Sequence, residues 1–258
     1  MAARAMWKAL VRIGDIRVPV KLYSAVQDRD VHFRMLHGAD HAPVKQAMVN
    51  PETGEIVPRE AVHRGYFTGE GDLVMLKDDE LESLEPEPSR EIQLQHFLPL
   101  NTIDHRYYRR PYYLGPDGSN EKYAALIGAL TQSEREGFAQ WVMRKKSYVG
   151  ALRLHEGYPM LIALRHADEV VAVNVIDTPS GTELDKRELD MSRQLIEMLA
   201  SDFEPETYHD EYRERVLELI RTKASGGKVT RLRPRRKAPS KDLSKALEAS
   251  LQKERQRA

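Results

Sequence analysis

The chain has 258 residues, with 40 Lys and Arg against 40 Asp and Glu and no cysteine. That length allows one large domain or two small ones with a real core. The missing cysteine excludes a disulfide framework, thiol catalysis and a thiolate metal site, and no run approaches the ~20 apolar residues of a membrane span.

The zero net charge hides an asymmetry. Residues 221–258 carry thirteen Lys and Arg against three acids, a net of +10, so residues 1–220 sum to −10. A basic tail on an acidic body points to a nucleic-acid or acidic-membrane partner; the plainer reading is a solvated tail. The opening "MAARAMWKAL" lacks an apolar stretch long enough for a signal peptide, and a soluble intracellular protein is expected.

In chain order, "WKALVRIGDIRVPVKLYSAV" alternates with period two on either side of Gly14-Asp15. It predicts two paired strands, with Trp7, Ala9, Val11 and Ile13 on one inner face and Ile16, Val18, Val20 and Leu22 on the other. The outer faces are basic, and Pro19 marks an edge or bulge. Residues 27–72 are polar and broken by Pro43, Pro51, Pro58 and glycines, which predicts an extended excursion instead of a packed layer. "DLVMLKDDELESLEP" predicts a buried strand at 73–76 and a short acidic helical turn. "EIQLQHF" and "RPYYLGPDG" read as strands, the second ending in a turn. Asn120 is placed to cap a helix whose Tyr123, Leu126, Ile127 and Leu130 share a face. Between 137 and 176, "FAQWVMR", "YVGALRLH" and "MLIALRH" return to strands. Many short strands at this spacing suggest a barrel or a sandwich.

Two helices are predicted next. One has an apolar stripe of Leu189, Leu195, Ile196 and Leu199. The other has Pro205 in its first turn, Tyr212, Val216, Leu219 and Ile220 in a row, and Gly226-Gly227 as its stop. A Pro-rich basic linker follows. Finally Leu243, Leu247 and Leu251, four apart, make a short amphipathic helix, too short to be stable alone in water and suited to docking on a partner.

The search for chemistry returns little. His32, His37 and His41 cluster, with His63 further on, but no HExxH or Cys/His spacing is present. Walker, GxGxxG and GxSxG patterns are absent. Asp78-Asp79 reads as a solvated face. No nucleophile, base and orienting group assemble, so neither an enzyme nor a cofactor or metal is expected. Cations are the better signal. Arg34 and Lys45 sit in "RMLHGADHAPVK", Arg106, Arg109 and Arg110 lie among four tyrosines in "HRYYRRPYYL", and Arg144, Lys145 and Lys146 form a triplet at a strand end. Guanidinium and ammonium groups interleaved with aromatics suit sugar-phosphate contact. The competing reading is barrel core for Tyr112 and Tyr113 and plain surface for the triplet.

In order, the blocks "MWKALVRIGDIRVPVKLYSA", "RRPYYLGPDG", "EKYAALIGAL", "WVMRKKSYVGALR", "ALRHADEV", the helical stretch from "ELDMSRQLIEML" to "RTKASGG", and "DLSKALEASL" resemble the bacterial Ku family, the DNA-end-binding proteins of non-homologous end joining. The family usually has glycine where Ala9 stands and an aromatic where Ile13 stands; some relatives have cysteines around 48–54. The resemblance implies an α+β fold: a Ku-type β-barrel core over 1–180 with a bridge excursion at about 27–72, a helical arm over 181–227 for dimerisation, and a basic tail over 228–258. It implies a homodimeric ring that loads on double-stranded DNA ends without reading sequence, works at the bacterial nucleoid in the cytoplasm, and recruits DNA ligase D through the terminal segment. On this reading Arg34, Lys45, Arg106, Arg109, Arg110, Arg144, Lys145, Lys146, Arg231, Arg233, Arg235, Arg236 and Lys237 are candidate DNA contacts, and Leu243, Leu247 and Leu251 candidate ligase contacts. Two other readings stand beside it, a repair lyase with a low-pKa lysine acting on abasic ends and a general nucleic-acid-binding barrel.

Overall fold

The computed structural model describes residues 4–173, 185–226 and 243–255. Seven strands close a barrel: β1 (Trp7–Ile13), β2 (Ile16–Ser24), β5 (Glu91–Pro99), β6 (Tyr108–Pro116), β7 (Arg135–Met143), β8 (Lys146–His155) and β9 (Tyr158–Leu164), in the order β1-β2-β6-β9-β8-β7-β5. All pairings are antiparallel except β1 with β5, which closes the barrel in parallel.

Alternation explains the interior. Ala9 and Val11 of β1, Val18, Val20 and Leu22 of β2, Ile92 and Leu94 of β5, Tyr112 and Leu114 of β6, Trp141 and Met143 of β7, Leu152 of β8 and Leu161 of β9 all enter one buried cluster. Helix α2 (Asn120–Ser133) adds Leu126 and Leu130 to it. Trp141 needs room at one point: a Cβ on Gly150 would lie 2.6 Å from the Ile162 carbonyl oxygen and 2.6 Å from the Trp141 ring.

Several expectations change in detail. Ile16, expected inside, is 62% exposed because it sits at the turn after Gly14. The helix cap is Ser119, one residue before the expected Asn120. Tyr112 is core, but Tyr113 faces outward. The last described strand ends at Leu164. Pro19 lies one residue beyond the β6 register, where only its carbonyl is used, accepting from the Asp117 N–H.

The excursion has two isolated bridges, Leu36 with Pro43 and Val49 with Ile56, and a separate hairpin of β3 (Arg64–Phe67) and β4 (Leu73–Leu76). The strand at 73–76 was expected to be buried; instead Leu73, Val74 and Met75 are exposed. Among the described residues β4 pairs only with β3, and nothing covers Leu73, Val74 and Met75. The acidic turn is α1 (Asp78–Ser83).

The chain divides into two compact units, one of Met1–Arg29 with Arg34–Val175, the other of Asp30–Phe33 with Ile176–Ala258. In the second, α3 (Lys186–Met198), α4 (Glu211–Ala224) and α5 (Leu243–Arg255) are helical, and α5 packs on α3. Pro205 opens a separate single 3-10 turn, while α4 starts at Glu211 with the Asp210 carboxylate accepting from the Arg213 N–H. The expected stripe on α3 is mostly uncovered: Leu189, Ile196 and Leu199 are exposed, Leu195 half-buried. Among the described residues no helix is long and apolar enough to cross a membrane.

Candidate nucleic-acid interface

The register of β6 on β9 slips between Tyr108 and Arg110. A bulge of this kind re-aims side chains, and here Arg109 and Arg110 are both exposed at one mouth of the barrel. Arg110 shares the parity of Tyr112 and lies 5.7 Å over its ring. β9 and β8 bring Lys146 to the same place. Arg109, Arg110, Tyr112, Lys146, Ser147, Tyr148, His166 and Glu169 line a hollow of about 310 Å³. Arg109 is loosely paired with Glu169 at 3.6 Å. Tyr148 stacks on Trp141, which fixes that wall. Three cations around two tyrosine rings form a surface that suits a phosphate backbone.

The structure divides the triplet at 144–146. Arg144 and Lys145 occupy the two-residue loop between β7 and β8, both left-handed at φ 52° and 64°, the geometry of a type I′ turn that usually takes Asn or Gly. They line a different hollow with Trp7, Pro86 and Arg90. Lys145 is paired with Glu85 at 2.9 Å, which raises its pKa. Arg106 is held as well: its Nε and Nη2 donate to the Asp104 carboxylate at 3.0 and 3.1 Å. That pair, with the Arg106 N–H, lowers Asp104 to about 2. Arg34 and Lys45 are exposed on the excursion. Arg231, Arg233, Arg235, Arg236 and Lys237 lie outside the described residues. Of the leucines, Leu251 is buried and Leu247 half-buried; the Leu243 side chain is outside the described set.

Two residues missed from the sequence help build the mouth. Arg165 donates from Nη1 to the carbonyls of Arg106 and Tyr108 at 2.8 and 2.6 Å, tying the start of β6 to the end of β9. His166, the next residue, lines the hollow. Both stand in "ALRH", but nothing local in that string marks them. The basic outer faces of β1 and β2, by contrast, are neutralised in pairs. Glu91 bridges Arg12 and Arg17 at 3.0 and 3.2 Å, and Asp117 bridges Lys8 and Lys21 at 3.2 and 2.9 Å. The Arg12 and Arg17 hydrogen bonds lower the Glu91 pKa; the Lys21 bond does the same for Asp117.

Comparison with known proteins agrees with this architecture. Residues 12–191 match the Ku70/Ku80 beta-barrel domain. The chain is 37% identical over 255 residues to "Non-homologous end joining protein Ku 2" of Geotalea uraniireducens, covering 98% of this chain and 99% of that protein. It is 33% identical over 231 residues to "Non-homologous end joining protein Ku" of Mycobacterium tuberculosis (88% and 85% covered). The protein of the same name from Bacillus subtilis is 32% identical over 256 residues (97% and 82% covered). With a closed barrel of matching type and relatives aligned along nearly its whole length, the chain belongs to the Ku family of non-homologous end joining proteins.

Proposed function

We propose that this chain binds double-stranded DNA ends as a homodimeric ring, without reading sequence, and recruits and stimulates bacterial DNA ligase D. The observation that carries the reading is the barrel mouth, where Arg109, Arg110 and Lys146 converge from β6 and β8 around Tyr112 and Tyr148. Such groups contact phosphates and sugars, which position a protein without specifying sequence. The excursion supports the dimer. Phe67, Leu73 and Met75 are more than half exposed, and uncovered apolar surface of this kind marks an interaction site. In a closed two-fold assembly the same patch of a second copy covers it. The open faces of α3 and α4 supply a second such surface, through Ile196, Leu199 and Tyr212. The tail over 228–241 adds charge for flanking DNA, and Leu243, Leu247 and Leu251 form the ligase contact.

The mechanism is topological. A closed ring admits duplex only from an end, so end selectivity comes from shape, while phosphate contacts supply affinity. An acidic body disfavours stray contacts outside the ring. No bond need be made or broken. Among the described residues, Lys21 and Lys145 have raised pKa values through their bonds with Asp117 and Glu85. The test is competition between linear duplex and a sealed minicircle of the same sequence. Strong preference for the linear form is expected; equal affinity refutes end loading and leaves a general nucleic-acid-binding barrel.

A further inference from the structure

Two leucines of the α5 stripe, Leu247 and Leu251, are already withdrawn from solvent in this chain. Helix α5 packs on α3, Leu251 is only 7% exposed, and Leu247 is half-buried. Arg187 at the start of α3 donates from Nη2 to Glu248 Oε1 at 2.8 Å, pinning the two helices between those leucines. On α3 the residues withdrawn from solvent are Glu188, Met191, Ser192 and Leu195, spaced i, i+3, i+4 and i+7 along one helix face. Leu189, Ile196 and Leu199, on the adjoining face, stay exposed. So α3 has two faces in play, a mixed one of Glu188, Met191, Ser192 and Leu195 that is withdrawn from solvent and an apolar one that is open.

We infer that the α5 stripe has two mutually exclusive occupants, the α3 face of its own arm and the partner protein, so that docking in cis limits recruitment. The inference rests on the reading of α5 as the ligase contact. Leu251 buried against α3 is not available to a partner groove. A partner that needs the released helix sees its affinity reduced by the released fraction. The cis contact also accounts for the helical state of α5, since a helix of this length is marginal alone in water. The Arg187–Glu248 pair is exposed, and pairs of that kind shift an equilibrium only modestly, which suits a latch that a partner displaces.

The test uses the full-length chain and exploits its lack of cysteine. Arg187→Cys with Glu248→Cys is treated with a short bis-maleimide and run on a denaturing gel. A band of monomer mass is expected whose proteolytic digest contains the peptides carrying positions 187 and 248 joined by the reagent, which neither single-cysteine variant can give at monomer mass. No crosslink, or one only at dimer mass, overturns docking in cis. Separately, Arg187→Glu is expected to raise affinity for purified bacterial ligase D about two- to five-fold, and Arg187→Glu with Glu248→Arg to return it to the parent value. If the crosslink forms and ligase binds, but Arg187→Glu changes nothing, the competition is refuted. If the crosslink forms and ligase does not bind the parent chain at all, the docking assignment under the proposed function falls and the competition falls with it.

Discussion

The barrel and residues 34–72 of the excursion belong to one compact unit and answer the same physical demand in opposite ways. In the barrel, alternation puts every second residue into a shared interior, and Val11, Leu22, Ile92, Leu152 and Leu161 are fully buried. Among the described residues the apolar side chains of this part of the excursion have no opposite layer, and Ile56 and Phe67 are each about 70% exposed. A strand pair without a third layer is not independently stable. The barrel buries its apolar residues within one chain, whereas the excursion leaves its own open, and on the function proposed above their complement lies on a second copy.

Stability measurements give the largest contrast. Leu22→Ala, in the fully buried interior, is expected to cost about 2–5 kcal/mol. Phe67→Ala, 69% exposed, is expected to stay within ~0.5 kcal/mol. Urea unfolding of both, at a concentration where the protein is monomeric, checks this; equal losses would mean the excursion has a core of its own. Next, Phe67→Asp with Met75→Asp is expected to abolish the homodimer in sedimentation while leaving the monomer's unfolding midpoint in place. A persisting dimer breaks the assignment of this face.

The cations offer a second version of the same contrast, open against occupied. Replacing Arg109, Arg110 and Lys146 by Gln is expected to weaken DNA binding and to flatten the slope of log K against log salt by up to about 2.7, at ~0.9 per phosphate contact. Arg12→Gln with Arg17→Gln removes as much formal charge per residue, but these two are bridged by Glu91, and a change in slope under about 1 is expected. If the two sets behave alike, net charge alone governs binding and the mouth has no special place.

The smallest effect concerns pH. Asp104 is lowered from 3.8 to about 2 by its bonds with Arg106. A depressed carboxylate stabilises the fold above its unfolded value, and that contribution fades as pH falls through the folded value. The parent and Asp104→Asn should therefore differ slightly and constantly between pH 5 and 8 and converge as pH drops from about 4 toward about 2. At neutral pH the same substitution frees Arg106, so a small rise in DNA affinity is expected, readable by anisotropy at low salt.

How much of this was legible in the sequence depended on range. The β1–β2 hairpin, the strands from 137 to 164 and the face of α2 followed from local periodicity, because burial on one side imposes it. The four apolar residues of "LVML" misled: a continuous apolar run reads the same against a core as on an exposed arm. Of the mouth, the Arg109-Arg110 pair was visible. Its union with Lys146 was not, since it needs the β6 bulge and two strand pairings, β6 with β9 and β9 with β8. The division of 144–146 between two hollows was equally hidden, because it arises from left-handed backbone at a tight turn. The role of Arg165, binding two carbonyls of a distant loop, leaves no local trace.

End loading through a closed ring is tested most directly by trapping. Protein is loaded on a linear duplex, both ends are blocked with streptavidin, and excess linear competitor is added; the duplex is then cut at an internal restriction site. The ring account predicts that protein stays on the blocked duplex through the competitor challenge and leaves on cutting. Release into competitor while both ends are still blocked would contradict it.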